Sequence, residues 1–475
     1  MTNTSSGHNL GRSTPLPLVC ALLLGLAGCS AWSPPSQEAG KFAIPSQWPS
    51  ASVAHSTPTI SLTDWWLRFN DPQLTTLITQ ALQANTSVRS AQAALQQARA
   101  LRDVNAAGLS PSLSASGSAQ RGKSGDSDTS NSLRAGLDAR WEIDVFGARR
   151  SSLNASEADA QASQASLADV QVSIAAEVAL AYIQLRGQQA QLQIARNNLA
   201  SQQETLQITD WRLQAGLTTS LELEQARTAT EQTSAQLPTL QTGINQSRLS
   251  LALLTGQTPD ALQGLISQPQ PMPTLAGNWA LGIPAHTLRQ RPDVRAAEQR
   301  IRAALSRVSA ADAARYPGFA LSGSVGLNAL SLSGLTSGAS VASALLGSIS
   351  VPLLDGGAAR AQVRVQEAAL EQARVAYEAV VLTALKDVEG ALVALQGDRA
   401  RQLNLQNAAT AAANAALLAQ QRYTSGLIDF QTVLQTQRTL LTAQDSVASV
   451  QAAISTDHVR LVKALGGGWN QTSLD

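Results

Sequence analysis

Two periodicities divide the chain. Between residues 133 and 145, Leu133, Ala135, Leu137, Ala139, Trp141, Ile143 and Val145 alternate with Arg134, Gly136, Asp138, Arg140, Glu142 and Asp144. A period of two puts the apolar set on one face of a strand and a heavily charged set on the other. Upstream, Leu113, Ala115, Gly117 and Ala119 alternate with serines, and the polar run RGKSGDSDTSN joins the two segments. The plan recurs later: Phe319, Leu321, Gly323, Val325 and Leu327 mark one strand, a Ser/Gly-rich loop follows, and residues 341–353 mark another. A soluble sandwich strand is usually shorter, whereas lipid on one side and water on the other suits a membrane barrel. Four strands cannot close a barrel, for which about eight is the practical minimum, and lipid does not tolerate an open edge. If these strands cross a bilayer, several copies must combine.

Each strand pair runs into a helical period. Over residues 149–214, apolar residues such as Leu167, Val170, Ile174, Val178 and Ala181 fall at steps of three and four, and residues 357–424 behave alike. At ~1.5 Å per residue, such a helix extends roughly 100 Å. Return helices are expected over 221–254 and 430–465. Pro238 predicts an interruption and a kink in the first, while its counterpart Ala448 predicts a smoother second. No proline falls between Pro111 and Pro238 or after Pro352, as uninterrupted helices and ladder-forming strands require.

The chain writes one unit twice. WRLQAGL at 211–217 returns as QRYTSGL at 421–427, so that Arg212 and Arg422, Gly216 and Gly426, and Leu217 and Leu427 each stand 210 residues apart. A glycine there can take the left-handed conformation that ends a helix. Leu254-Thr-Gly256 and Ala464-Leu-Gly466 keep that spacing, as do Gly187 and Gly397. Upstream of the strands, Asn85-Thr-Ser-Val88-Arg89 parallels Arg291-Pro-Asp-Val294-Arg295, and Ser110-Pro111 parallels Tyr316-Pro317, at an offset of 206.

Composition narrows the chemistry. Aromatic residues make up 4% and charged residues 14%, and the abundance of Ala, Leu and Gln suits long, closely packed helices. A net charge of +1 gives no reason to expect nucleic acid as a partner. No apolar run reaches the ~18 to 20 residues of a spanning helix. The histidines are His8, His55, His286 and His458, and no Cys/His cluster has metal spacing. Gly466-Gly467-Gly468 has no strand before it and no GK[ST] after it, so a phosphate cradle is not expected. The expectation is therefore a non-enzyme without cofactor or metal.

At the N-terminus, Arg12 precedes a short apolar segment, residues 16–27, that ends in Leu26-Ala27-Gly28-Cys29-Ser30. This resembles the lipobox of bacterial lipoproteins, in which the signal is cut before the cysteine and the cysteine is acylated; a plain secretion signal with an incidental cysteine is the alternative. Ser30, rather than Asp, follows Cys29, which by the sorting pattern of such lipoproteins favours the outer membrane. Cys20 would leave with the signal, so the mature chain could form no internal disulfide. The expected organisation is a signal over 1–28 and an extended Pro/Ser-rich tether over 29–60. A first repeat over 61–258 holds a strand hairpin (112–146) and a helical hairpin (148–256). A Pro-rich segment over 259–286 precedes a second repeat over 287–466, with hairpins 318–354 and 356–465, and a tail over 467–475.

Lipobox, strand hairpins and helical hairpins together resemble the TolC-like outer membrane factors, in particular the lipoprotein branch with OprM and NodT. Asp64-Trp-Trp-Leu-Arg-Phe-Asn-Asp-Pro-Gln-Leu74 is similar to the opening signature of that family, and Arg291-Pro-Asp-Val-Arg-Ala-Ala-Glu298 to its RPDVR.AE helix start. Trp141-Glu-Ile-Asp-Val-Phe-Gly147 and Val351-Pro-Leu-Leu-Asp-Gly-Gly357 resemble its strand-to-helix junctions, and Arg422-Tyr423-x-x-Gly426 and Ala464-Leu-Gly-Gly-Gly-Trp469 its second tip and terminal motif. The resemblance implies a mostly α fold with a membrane β part. Three copies would build a 12-stranded β-barrel in the outer membrane lipid, continued by an α-helical barrel across the periplasm. It also implies the exit duct of a tripartite efflux or secretion system, docked to a periplasmic adaptor and an inner-membrane pump of the RND, MFS or ABC type.

The same resemblance places the working residues at the periplasmic hairpin tips. Arg422 and Tyr423, before Gly426, take the role of family residues that hold the entrance shut through acidic groups on neighbouring hairpins. Arg212, before Gly216, is the first-tip counterpart, although Leu213 stands where the second tip has tyrosine. Glu222 and Glu224 are the nearest carboxylates on the first return helix; solvation of exposed turns is the plainer role for all these charges. The chain departs from the pattern at Thr432 and Gln435, where relatives carry ring-forming aspartates, while Arg438 keeps the basic residue. Weaker block by cations is expected. Two other classes remain in view. A periplasmic adaptor would carry one hairpin flanked by lipoyl-like segments, and a structural coiled-coil lipoprotein would show heptads with e/g charge pairs.

Overall fold

The computed structural model describes residues 63–468 apart from 124, 127, 263, 265–267 and 276–284. The lipobox residues Leu26, Ala27, Gly28 and Cys29, the signal and the tether lie outside the described residues, as do Trp469 and part of the inter-repeat segment.

A buried 3-10 turn, Trp65–Phe69, leads into helices α1 (Pro72–Ala84) and α2 (Thr86–Ala107). Strands β1 (Ser112–Gly122) and β2 (Ser130–Ile143) follow, and then α3 (Ala148–Gln214) and α4 (Ser220–Leu254). The second repeat is α5 (Pro292–Ala313), β3 (Gly318–Ala329), β4 (Val341–Ser350), α6 (Ala358–Thr424) and α7 (Phe430–Ala464). The β3–β4 connection, residues 330–340, is four residues longer than the β1–β2 connection, residues 123–129. That insertion accounts for the change of repeat offset from 206 before the strands to 210 after them.

The strands form one antiparallel sheet in the order β1-β2-β3-β4, which leaves β1 and β4 as its edges. The register keeps one parity apolar across all four strands: Ala115 pairs with Leu137, Leu137 with Val325, and Trp141 with Leu321, which neighbours Gly347. Leu113, Leu137, Val325, Leu345 and Ile349 stand exposed on that face. Two expected ends move. β4 stops at Ser350 rather than at 353, because Ser350 pairs with Gly318, the first residue of β3 after Pro317, and Pro352 has no N–H to extend a ladder. β2 starts three residues earlier than expected, since residues at the end of β1 pair with 130–132. It stops before Asp144, whose carboxylate accepts from Arg149 N (3.2 Å) and Arg150 N (2.8 Å) and so opens α3.

All four long helices end alike. Gly216, Gly256, Gly426 and Gly466 take positive φ, at 70°, 67°, 73° and 77°. At the first tip Leu217 N donates to Arg212 O (2.7 Å) and Gly216 N to Leu213 O (2.9 Å), and at the second Leu427 N donates to Arg422 O and Gly426 N to Tyr423 O. This pair of bonds satisfies carbonyls that a helix end otherwise leaves open. The return helices are then clasped from outside: Asn85 Nδ2 donates to Leu254 O (2.8 Å), and Arg291 Nη1 to Ala464 O (2.6 Å). Asn85 and Arg291 are also the N-cap residues of α2 and α5. The matched sequence positions are thus matched joints.

Two expectations are corrected along the helices. α4 runs without interruption from Ser220 to Leu254 through Pro238; a helix loses one bond at proline but flanking packing holds it. Within α3, one window has mean hydropathy 1.4, enough by length and composition to cross a membrane, although no such run was expected. That window is 56% buried in the chain's own core. Ile174, Val178, Tyr182, Ile183 and Leu185 of α3 join Leu74, Leu77, Ile78, Leu251, Val459 and Val462 in one cluster, so α3 is a core helix. Arg186, 1% exposed, is tied there: its Nη1 donates to Gln189 Oε1 and Gln268 O, and its Nη2 to Tyr182 OH and Gln73 Oε1. Tyr182 OH in turn donates to Asp71 Oδ2 (2.7 Å), and burial raises its pKa.

Candidate channel entrance and inter-hairpin seam

The two tips share one small core. Ala226 and Ala229 of α4 meet Ala419 and Tyr423 of α6 and Phe430, Val433 and Leu434 of α7. Tyr423 is 3% exposed, with its ring 5.5 Å from that of Phe430. The Arg212 guanidinium, from the other tip, lies 4.6 Å over the Tyr423 ring, and its Nη1 donates to Tyr423 O (2.9 Å). A helix-end carbonyl carries negative partial charge, so a cation is favoured there. Tyr423 OH and Arg212 Nε are buried without a hydrogen-bond partner among the described residues.

The remaining tip residues divide by surroundings. Arg422, Gln435 and Arg438 are exposed, and Glu222 is half-buried. Glu224 pairs with Arg227 at 2.8 Å, one turn along its own helix and exposed on both sides. Among the described residues, no carboxylate pairs with Arg212 or Arg422. Thr432 N and its hydroxyl both donate to Asp429 Oδ1, at 2.7 and 2.8 Å, which holds the Asp429 carboxyl below the ordinary aspartate range. Thr219 fills the same N-cap place at the first tip, accepting from Glu222 N at 3.4 Å. The structure therefore brings Arg212 and Tyr423 together and leaves Arg422, Gln435 and Arg438 facing outward. Asp429 and Phe430 were not singled out by the sequence.

A second feature escaped the sequence reading. α3 meets α7 along a polar line. Gln191 Nε2 donates to Ser449 Oγ (3.3 Å), Asn198 Nδ2 to Gln444 Oε1 (2.8 Å), and Gln437 Nε2 to Thr205 Oγ1 (2.9 Å). Residues 191, 198, 205 and 212 fall at seven-residue steps, and the last of them, Arg212, meets Tyr423 on α6 rather than α7. A strict seven-residue step keeps one seam on a partner helix. The signal in the sequence is the constant spacing of polar Gln191, Asn198 and Thr205, which lack the charge pairs that mark an ordinary coiled coil.

The family model described as "Outer membrane efflux protein" matches residues 77–257 and again 283–467. The chain belongs to the outer membrane efflux protein family. The two matches begin 206 residues apart and end 210 apart, the same offsets that the joints show. The outer membrane protein OprJ of Pseudomonas aeruginosa is 30% identical over 461 residues, covering 95% of this chain and 96% of the relative. The pyoverdine export outer membrane protein OpmQ of Pseudomonas putida is 34% identical over 473 residues, covering 95% and 97%. The solved structure of the outer-membrane channel OprN superposes with a TM-score of 0.86 at 34% identity, covering 92% of this chain and all but 1% of that one. The fold is that of the family's channels, and the function is theirs: conduction of efflux substrates across the outer membrane. The family is one of channels rather than enzymes.

Proposed function

We propose that three copies of this chain assemble into a lipid-anchored exit duct, with twelve strands in the outer membrane and a helical tunnel in the periplasm. The carrying observation is the four-stranded sheet, mostly apolar on one face in constant phase, whose two edges have no partner among the described residues. An open edge in lipid leaves backbone groups unsatisfied at several kcal/mol each, so neighbouring copies must close it. The helices also leave apolar side chains uncovered. Val365, Leu382 and Val393 on α6 are 57%, 53% and 55% exposed within one chain, apolar side chains that another copy could cover.

The duct joins a periplasmic adaptor and an inner-membrane pump, of the RND, MFS or ABC type, to the exterior, and Cys29 carries the acyl anchor. The hairpin tips form the periplasmic entrance. Arg422 and Arg438 supply basic groups for acids on neighbouring hairpins, with Glu222 and Glu224 as the nearest such acids, and Gly216 and Gly426 shape the turns. Tyr423 and Arg212 act within the chain, holding the two tips as one body. The polar α3–α7 seam suits sliding, because its bonds exchange with water at small net cost. Thr432 and Gln435 leave the entrance without the aspartate ring of relatives, so divalent cations block weakly.

Purified mature protein in detergent should measure as three chains by light scattering and form pores in a planar bilayer. A monomer without conductance would overturn the reading and favour an adaptor or scaffold. Replacing Cys29 by Ser should abolish incorporation of labelled palmitate.

A further inference from the structure

Every charged side chain on the polar face of the sheet belongs to β2. Reading along that face, β1 offers Ser112, Ser114, Ser116, Ser118 and Gln120, and neither β3 nor β4 contains an ionisable residue. β2 alone presents Arg134, Asp138, Arg140 and Glu142. Two of these, Arg140 and Glu142, are paired, and Asp138 is hydrogen-bonded but keeps its charge. Ser116 Oγ donates to Asp138 Oδ2 (2.8 Å), Arg140 pairs with Glu142 (3.0 Å), and Arg149 at the start of α3 pairs with the same carboxylate. Arg134 is exposed, flanked by Ser118 and Asn328 in the register, and has no ion pair among the described residues. Asp138, four residues along the strand, is about 13 Å away.

The layer between them keeps Arg134 alone. It is formed by Ser116, Gly136, Gly326 and Ala342, each paired with the next across the sheet. A Cβ built on Gly326 would stand 2.7 Å from Ala135 O, so the two backbones approach too closely for a longer side chain there. Nothing in that layer can reach up to neutralise the guanidinium. Arginine also keeps its charge at any working pH.

We propose that Arg134 is the residue that sets charge preference in the membrane section of the channel, drawing anionic solutes or anionic groups of larger solutes through the outer barrel. This rests on the three-copy channel proposed above, in which three Arg134 side chains share one height in the water-filled interior. A ring of like charge in a pore with low-dielectric walls concentrates counter-ions, and salt screens it over about 8 to 10 Å. The position gains weight because Thr432 and Gln435 supply no acidic ring at the tips.

The test is the reversal potential of single channels under a potassium chloride gradient. Arg134→Gln should lower the chloride-to-potassium permeability ratio roughly two- to five-fold, with a larger effect at low salt, and Arg134→Glu should invert the preference. Asp138→Asn should move the ratio the other way. Arg121→Gln, on the opposite parity at the strand end, should leave it unchanged. Pores of wild-type conductance with an unmoved ratio in both Arg134 variants would overturn this inference and leave the channel intact. Absence of pores from the wild type would instead overturn the channel reading. If the glutamate variant fails to insert, Arg134→Cys treated with a negatively charged thiol reagent should shift the ratio as glutamate would. An unmoved ratio after complete labelling refutes the assignment.

Discussion

The long helices α3 and α6 are each 67 residues, start after a glycine of positive φ and end in the same cap, yet α3 buries about twice as many residues as α6. Positions 210 apart show it singly. Ala155, Val172 and Ile183 are 4%, 3% and 1% exposed, whereas their counterparts Val365, Leu382 and Val393 are each more than half exposed. The seam positions differ as well: Gln191, Asn198 and Thr205 meet α7, while Arg401, Ala408 and Ala415 stand at the matching places on α6. Duplicated backbone joints therefore do not imply duplicated surroundings. The first long helix is sealed by its own chain, with α3 packed against α2, α4, α5 and α7, whereas α6 leaves Val365, Leu382 and Val393 exposed.

The largest break in the comparison should come from truncating a matched pair. Ile183→Ala should cost about 3 kcal/mol of chain stability through lost burial and a cavity. Val393→Ala should cost less than about 0.5 kcal/mol in the single chain but lower the fraction of assembled protein. Thermal melts in detergent beside light scattering separate the two outcomes, and equal destabilisation of both would contradict the asymmetry.

Next in size is a pH effect confined to the second repeat. His458 occupies the place that Arg248 holds in the first. Its Nδ1–H donates to Ile454 O (2.8 Å), leaving Nε2 to accept from Arg399 (3.0 Å). Burial, and then the Arg399 charge, lower its pKa from 6.5 to about 4. The unfolded chain then takes up this proton before the folded one. The stability from a neutral His458 is complete above pH 6.5 and is lost as pH falls towards about 4, by roughly 1 to 3 kcal/mol. His458→Gln should flatten that part of the stability–pH curve. An unchanged slope would show that His458 is not kept neutral by its surroundings.

The tips should differ by less. Arg212→Ala removes a carbonyl bond and a ring contact, and should loosen the tip core by about 1 to 2 kcal/mol. Arg422→Ala, at a side chain with no ion pair among the described residues, should change stability by under about 0.5 kcal/mol. Hydrogen exchange at the amides of 423–434 reads the difference, and equal protection loss would remove the special standing of Arg212. The smallest contrast is in the caps. Gly216→Ala and Gly426→Ala each force a side chain into the left-handed region at about 1 kcal/mol, and the two costs should agree. A clear inequality would mean that the joints are not equivalent.

Much of this was legible in the sequence because it is decided within a few residues. Alternation at 133–145 fixed the faces of β2, and Gly216, Gly256, Gly426 and Gly466 marked helix ends, since left-handed backbone is a local steric matter. The offset of 206 matched Asn85 with Arg291, although their clasping bonds to Leu254 and Ala464 lie 169 and 173 residues away. The strand end at Ser350, by contrast, depended on where the partner strand begins. The continuity of α4 through Pro238 depended on what packs around it.

The sequence by itself determined the elements, their duplication and the membership of each strand residue in an apolar or polar face. Only the tertiary structure decided that α3 is enclosed while α6 is open, that Arg212 closes on the carbonyl of Tyr423, and that Arg134 has no ion pair among the described residues. The physical reason is range. Periodicity and caps follow from bonds spanning at most a few positions, whereas burial and pairing depend on which distant segments the chain brings alongside.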